Sequence, residues 1–154
     1  MMENKAGARF PIGIFDSGIG GLTVLKEVCR DLPQEEVVYF GDTARVPYGT
    51  KSKETITKFS IDNVRFLKTF DVKIVIVACN TASSLGLDAM KENFSLPIIG
   101  VIEPGARAAL KATKNGRSGV IGTKATIGSG AYEACLKRLD PKLKVYSEAC
   151  PLFV

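Results

Sequence analysis

Val72-Lys73-Ile74-Val75-Ile76-Val77-Ala78 leads directly into Cys79-Asn80-Thr81. Six of the first seven residues are apolar and most are β-branched. A near-continuous run of this kind reads as a parallel strand buried on both faces. The polar triplet that follows reads as the opening of a helix. A strand passing straight into a helix is half of a βαβ unit, and the rest of the chain repeats the alternation.

Upstream, the pattern predicts a strand over 11–15, a break at Gly18 to Gly21, and a helix on which Leu22, Leu25, Cys29 and Leu32 share a face until Pro33 ends it. A second strand over 37–40 leads into a turn-rich loop over 41–49. Ser52 is placed to cap a helix with Lys53, Glu54 and Thr55 in its first turn. Ile56, Phe59, Phe66, Leu67 and Phe70 form its apolar face. Downstream, a strand is expected over 96–102, cut by Pro104, and a helix over 105–113. Asn115-Gly116 marks a turn, followed by a strand over 118–121, a helix over 125–139 and a last strand over 142–146. The fold expected is α/β, a three-layer sandwich with a mainly parallel sheet. In such sheets ligands lie beyond the carboxyl ends of the strands. That rule selects four loops: 16–21, 41–49, 79–81 and 122–130.

Composition narrows the function. The chain has 154 residues, 45% hydrophobic and 24% charged, with 21 Lys plus Arg against 16 Asp plus Glu, a formal charge of +5. This is globular composition, not that of a disordered or repetitive chain. Histidine is absent. Ser-His-Asp triads, Cys-His proteases, HExxH metalloproteases and Cys₂His₂ fingers are therefore excluded. No apolar run approaches the roughly 20 residues that cross a bilayer. Residues 1–9 are polar and lack the apolar core of a secretory signal. The four cysteines, Cys29, Cys79, Cys135 and Cys150, form no CxxC pair. Zinc and thioredoxin-type chemistry are thus disfavoured, and the expectation is free thiols in a reducing cytoplasm. The basic residues are scattered rather than gathered in a stripe, so neither nucleic acid nor membrane is an expected partner. The chain stops within an apolar stretch, Cys150-Pro151-Leu152-Phe153-Val154, from which a continuation is expected.

The first loop reads Asp16-Ser17-Gly18-Ile19-Gly20-Gly21. Its glycines let backbone N–H groups approach a ligand at a helix N-terminus. The spacing matches neither GxGxxG nor a P-loop, and the Asp16 carboxylate would repel a phosphate. A tight strand–helix turn is the plain alternative; Asp16 adds a carboxylate able to take a proton from a neighbour. At the third loop, Cys79 stands at a helix N-terminus, where a thiol pKa is expected to fall below its ordinary value of about 8.5. Asn80 and Thr81 offer groups that hold a carboxylate. The alternative is a buried cysteine acting as a small hydrophobe. A thiol-phosphatase loop is excluded because Leu85, not Arg, lies six residues after Cys79. Cys29 and Cys135 are expected in the core, the latter beside Tyr132, Leu136 and Leu139, and packing is favoured for Cys150. Pro47-Tyr48-Gly49 is a rigid turn whose tyrosine either covers a ligand or lies on the surface. Gly122-Thr123-Lys124-Ala125-Thr126 suits either a carboxylate or plain N-capping by Thr123.

Taken in order, Ile14-Phe15-Asp16-Ser17-Gly18-Ile19-Gly20-Gly21, Tyr39-Phe40-Gly41-Asp42, Pro47-Tyr48-Gly49, Ala78-Cys79-Asn80-Thr81-Ala82 and Ile121-Gly122-Thr123 resemble the glutamate racemases of the aspartate/glutamate racemase superfamily. The resemblance runs from about Phe10 to the last residue. It implies a racemase that uses no metal or other cofactor, with two facing α/β domains and glutamate between them, supplying D-glutamate for bacterial peptidoglycan. One thiolate removes the α-proton and a second thiol returns one on the opposite face. Carried over by motif, Cys79 is the first acid/base and Asp16 assists its proton exchange. Asp16, Ser17, Tyr48, Gly49, Asn80, Thr81, Thr123 and Thr126 hold the substrate. The family places its second cysteine in a Gly-Cys-Thr-His segment, which this chain lacks, and its C-terminal part returns to complete the first domain.

The chain therefore reads as the N-terminal portion of such a racemase: residues 1–100 a first domain lacking its return segment, with an exposed sheet edge, and 101–154 the beginning of a second. A homodimer is among the assemblies it allows. A non-catalytic carboxylate-binding α/β fragment and an aspartate-type racemase are the alternatives.

Overall fold

The computed structural model describes residues 10–151. The polar stretch 1–9 and the apolar end 152–154 lie outside the described residues.

Strand β1 (Ile12–Asp16) is followed by α1 (Leu22–Asp31) and β2 (Val37–Gly41). Two short 3-10 turns, Thr43–Arg45 and Tyr48–Thr50, precede α2 (Lys53–Lys68). Then come β3 (Ile74–Val77), α3 (Asn80–Leu85), α4 (Leu87–Asn93), β4 (Ile98–Gly100) and α5 (Ile102–Ala112). The last described elements are β5 (Arg117–Gly122), α6 (Lys124–Gly128), α7 (Ala131–Leu139) and β6 (Lys144–Ala149). The first four strands form one sheet in the order β2-β1-β3-β4, and β5 pairs with β6 in a second. Every pairing is parallel.

The two-residue period of the strands divides the first sheet between two helical layers. Phe15, Val38, Phe40, Val75, Val77 and Ile98 face α2 and α4, packing on Ile56, Val64, Leu67 and Met90. Ile12, Ile14, Val37, Tyr39, Ile74 and Ile76 face Val24, Leu25 and Val28 of α1. The fold is thus the expected three-layer α/β sandwich. A separate cluster of Ile102, Ala106, Cys135, Leu136 and Leu143 joins α5 and α7 to the second sheet.

Several local expectations are corrected. The central strand is not equally buried on both faces: Val75 and Val77 are fully buried, whereas Ile74 and Ile76 are half-buried. Among the described residues only α1 covers their side, and it contributes no fully buried residue. The face of α1 that meets the sheet is Val24, Leu25 and Val28. Leu22 and Leu32 are exposed, and so is Cys29. At about 100° per residue Cys29 is turned away from Val28, so it is not a core residue. Cys135 is buried as expected, and Cys150 is half-buried.

Ser52 caps α2 by accepting from the Thr55 N–H. The buried face of α2 is Ile56, Ser60, Asn63, Val64 and Leu67. Phe66 and Phe70 are instead exposed and form an aromatic string with Phe40. Strand β4 is short, and Pro104 does not cut it. Pro104 lies in the first turn of α5, where no intrahelical N–H bond is required. The helix expected over 125–139 is two helices, because Gly130 takes the left-handed conformation at φ 66° between α6 and α7.

Candidate active site

The carboxyl ends of β1 and β3 and the loop after β2 open into one cleft of about 950 Å³. Asp16, Ser17, Tyr48, Gly49, Cys79, Asn80, Thr81 and Thr123 all line it. All four loops selected by the crevice rule thus converge there, the fourth through Thr123 at the N-terminus of α6.

Each side chain is held by its local backbone. Asp16 ends β1, and its Oδ2 accepts from the N–H groups of Gly18 at 3.1 Å and Gly21 at 3.0 Å. The carboxylate therefore braces the glycine loop as well as facing the cleft. Tyr39 closes the loop from below by donating to Gly18 O at 3.2 Å. Burial, together with the nearby Asp16 carboxylate, pushes the Tyr39 phenol up to about 12, so it stays a donor.

Cys79 caps α3, its Sγ accepting from the Ala82 N–H at 3.4 Å. The thiol donates to Ser17 Oγ at 3.3 Å. Only 4% of Cys79 is exposed. The expected fall in its pKa is not what the site produces. Burial pushes the thiol up, the Asp16 carboxylate adds to that, and the Ser17 and Ala82 hydrogen bonds oppose it. Loss of hydration outweighs a helix of only six residues. The result is a shielded, mainly protonated thiol at the wall of an open cleft.

Tyr48 neither covers the cleft nor lies on the surface: it is 1% exposed. Its hydroxyl donates to Asp42 and accepts from Asn63 Nδ2 at 3.0 Å. Arg45 closes the ring with Nε on Asp42 at 2.7 Å and a guanidinium N–H on Asn63 Oδ1 at 2.7 Å. Two short sequence neighbours, Asp42 and Arg45, and a residue of α2 thus pin the turn that bears Gly49. This network was not legible beforehand, because Asn63 meets the others only after α2 docks.

Thr123 caps α6 by accepting from the Thr126 N–H at 3.0 Å. Its hydroxyl, with those of Thr81 and Thr126, forms a triangle with edges of 3.0 to 3.1 Å. Thr126 is buried in this triangle and lines an adjoining cavity of about 560 Å³ instead of the cleft. Tyr132 was expected only as core. Its hydroxyl donates to Asn80 Oδ1 at 2.6 Å, and it lines both cavities. Among the described residues no cluster of three His, Cys, Asp or Glu is placed to hold a metal.

The fold and site define a parallel α/β protein with a shielded thiol, a carboxylate and a row of hydroxyls at the carboxyl ends of its strands. A family model, Asp/Glu/Hydantoin racemase, matches residues 17–151, and the chain belongs to that family. The glutamate racemase of Geobacter metallireducens is 59% identical over 143 residues, covering 93% of this chain and 53% of that protein. A solved glutamate racemase isoform from Bacillus anthracis superposes with a TM-score of 0.91 at 52% identity, over 95% of this chain and 55% of that one. The glutamate racemase of Francisella tularensis, solved in complex with D-glutamate, gives a TM-score of 0.87 at 45% identity, again over 95% of this chain and 55% of that one. The chain spans about half the length of the relatives it matches.

Proposed function

We propose that this chain is the portion of a glutamate racemase that carries one of its two acid/base thiols. The observation that carries the reading is the placement of Cys79 Sγ, bonded to Ser17 at 3.3 Å, on the wall of the cleft that Asp16 shares. Cys79 as thiolate takes the α-proton of glutamate. The Cα–H bond breaks, its electron pair is delocalised into the α-carboxylate, and an S–H bond forms. An α-proton is a weak acid, so a matched base and dry stabilisation of the developing charge are both needed. A proton returned from the opposite face inverts the centre; one returned by Cys79 itself gives exchange without inversion.

Asp16 assists the exchange of the Cys79 proton with solvent. Ser17 and Asn80 donate to the substrate's carboxylates, and Thr81 and Thr123 join them by exchanging a hydrogen bond of the hydroxyl triangle for one to the substrate. Tyr48 and Gly49 contribute the backbone of their turn, since the Tyr48 hydroxyl is already engaged. Thr126 acts through the hydroxyl triangle. The substrate is a small dicarboxylic amino acid, and the setting is the cytoplasm of a cell that builds peptidoglycan. Residues 1–100 and 101–154 correspond to a first domain and the beginning of a second, and a homodimer is the assembly to look for.

Incubation in D₂O with L-glutamate tests the reading. Deuterium enters at Cα, and Cys79→Ala abolishes it. No uptake by the unaltered chain overturns the reading, and uptake into aspartate at an equal rate reassigns the substrate.

A further inference from the structure

Tyr132 and Asn80 are far apart in sequence and belong to helices, α7 and α3, that pack against different sheets. Yet the phenol donates to Asn80 Oδ1 at 2.6 Å, and both residues line the cleft and the cavity beside it. Asn80 is exposed to the cleft, while the Tyr132 ring is half-buried. An asparagine amide has an acceptor end and a donor end. With Oδ1 taken by the phenol, the hydrogens of Nδ2 are the end left for a ligand.

We infer that Tyr132 is a positioning residue, which by holding Asn80 Oδ1 turns the Asn80 amide so that it offers donors to a carboxylate in the cleft. This deepens the glutamate reading and rests on it. Without the phenol the amide is free to turn over and present its oxygen to the substrate's carboxylate, which repels it. Burial pushes the phenol of Tyr132 further above its ordinary value, so it remains a donor throughout the neutral range.

The test uses the whole chain, labelled with ¹⁵N, and the variants Tyr132→Phe, Asn80→Ala and the double. Tyr132→Phe keeps the ring, and the backbone spectrum checks that each variant is folded. In the absence of ligand, Tyr132→Phe shifts the Asn80 side-chain amide pair. Glutamate then binds Tyr132→Phe roughly threefold to tenfold more weakly than the unaltered chain, the range expected for one net hydrogen bond. Asn80→Ala and the double variant bind equally, because the phenol acts only through Asn80. An unmoved amide pair, or a Tyr132→Phe effect that persists in full on top of Asn80→Ala, overturns the inference. An unaltered chain that binds no glutamate overturns the racemase reading and the substrate half of this one. The ligand-free amide spectrum still judges the pairing of Tyr132 with Asn80 by itself.

Discussion

A Cβ placed on Gly49 would lie 2.6 Å from both Cβ and Cγ2 of Thr123. The turn after β2 and the N-cap of α6 therefore meet with no room for a side chain between them, and the cleft is walled on that side by their contact.

Gly49→Ala forces one wall to move. The expected cost is about 1–3 kcal/mol, the range for overpacking a close contact. A urea titration measures it. Glutamate binding weakens in the same variant, because Thr123 and the hydroxyl triangle are displaced together. An unchanged midpoint with unchanged binding contradicts the closeness of this contact.

Cys79→Ser separates structure from chemistry. Serine is a good N-cap and keeps the bond from the Ala82 N–H, so stability stays within about 1 kcal/mol. A hydroxyl is a far weaker acid than a thiol, and α-proton exchange falls by at least about 10²-fold. Thermal unfolding and deuterium uptake, read on the same sample, report the two effects.

The Cys79 pKa lies above that of an unfolded thiol, which fixes a sign. The folded state holds this proton more tightly, so its contribution to stability is complete below about pH 8.5 and is lost as pH rises through the folded value. Stability therefore declines on the alkaline side, and less steeply in Cys79→Ser. Modification follows the same order: at pH 8 iodoacetamide reacts with exposed Cys29 well before Cys79. Peptide mapping of the alkylated chain reads it.

Asp42→Asn removes a buried charge that receives Tyr48 and Arg45. Asp42 is 4% exposed, and Arg45 retains a partner in Asp62 at 3.4 Å. Breaking a buried hydrogen-bonded pair of this kind costs about 2–4 kcal/mol. The denaturation midpoint falls accordingly, and glutamate affinity falls with it because the Tyr48–Gly49 turn loosens. Loss of stability with unaltered affinity would mean that the network supports the core alone.

Much of the architecture was legible along the chain because it is written in short-range terms. The run at 72–78 is β-branched, the polar triplet after it caps a helix, and Ser52 precedes α2 as a local hydrogen-bond acceptor. The loops of the candidate site followed from the rule that ligands gather at the carboxyl ends of parallel strands. The misreadings lie where an apolar residue had more than one face to choose. Cys29 and Phe66 fit a helical spacing, but which stripe of a helix is buried depends on what docks against it. Gly130 fits the helical pattern over 125–139, although its left-handed backbone divides α6 from α7.

What the amino-acid order determined by itself was the alternation of strand and helix, the four candidate loops and the thiol at the end of the central strand. These depend on periodicity, capping and turn chemistry, which act over a few residues. Only the tertiary structure decided the ionisation of Cys79, the burial of Tyr48 against Asp42 and Asn63, and the grip of Tyr132 on Asn80. Those are set by desolvation and by partners far apart in the chain, and neither exists until the layers have packed.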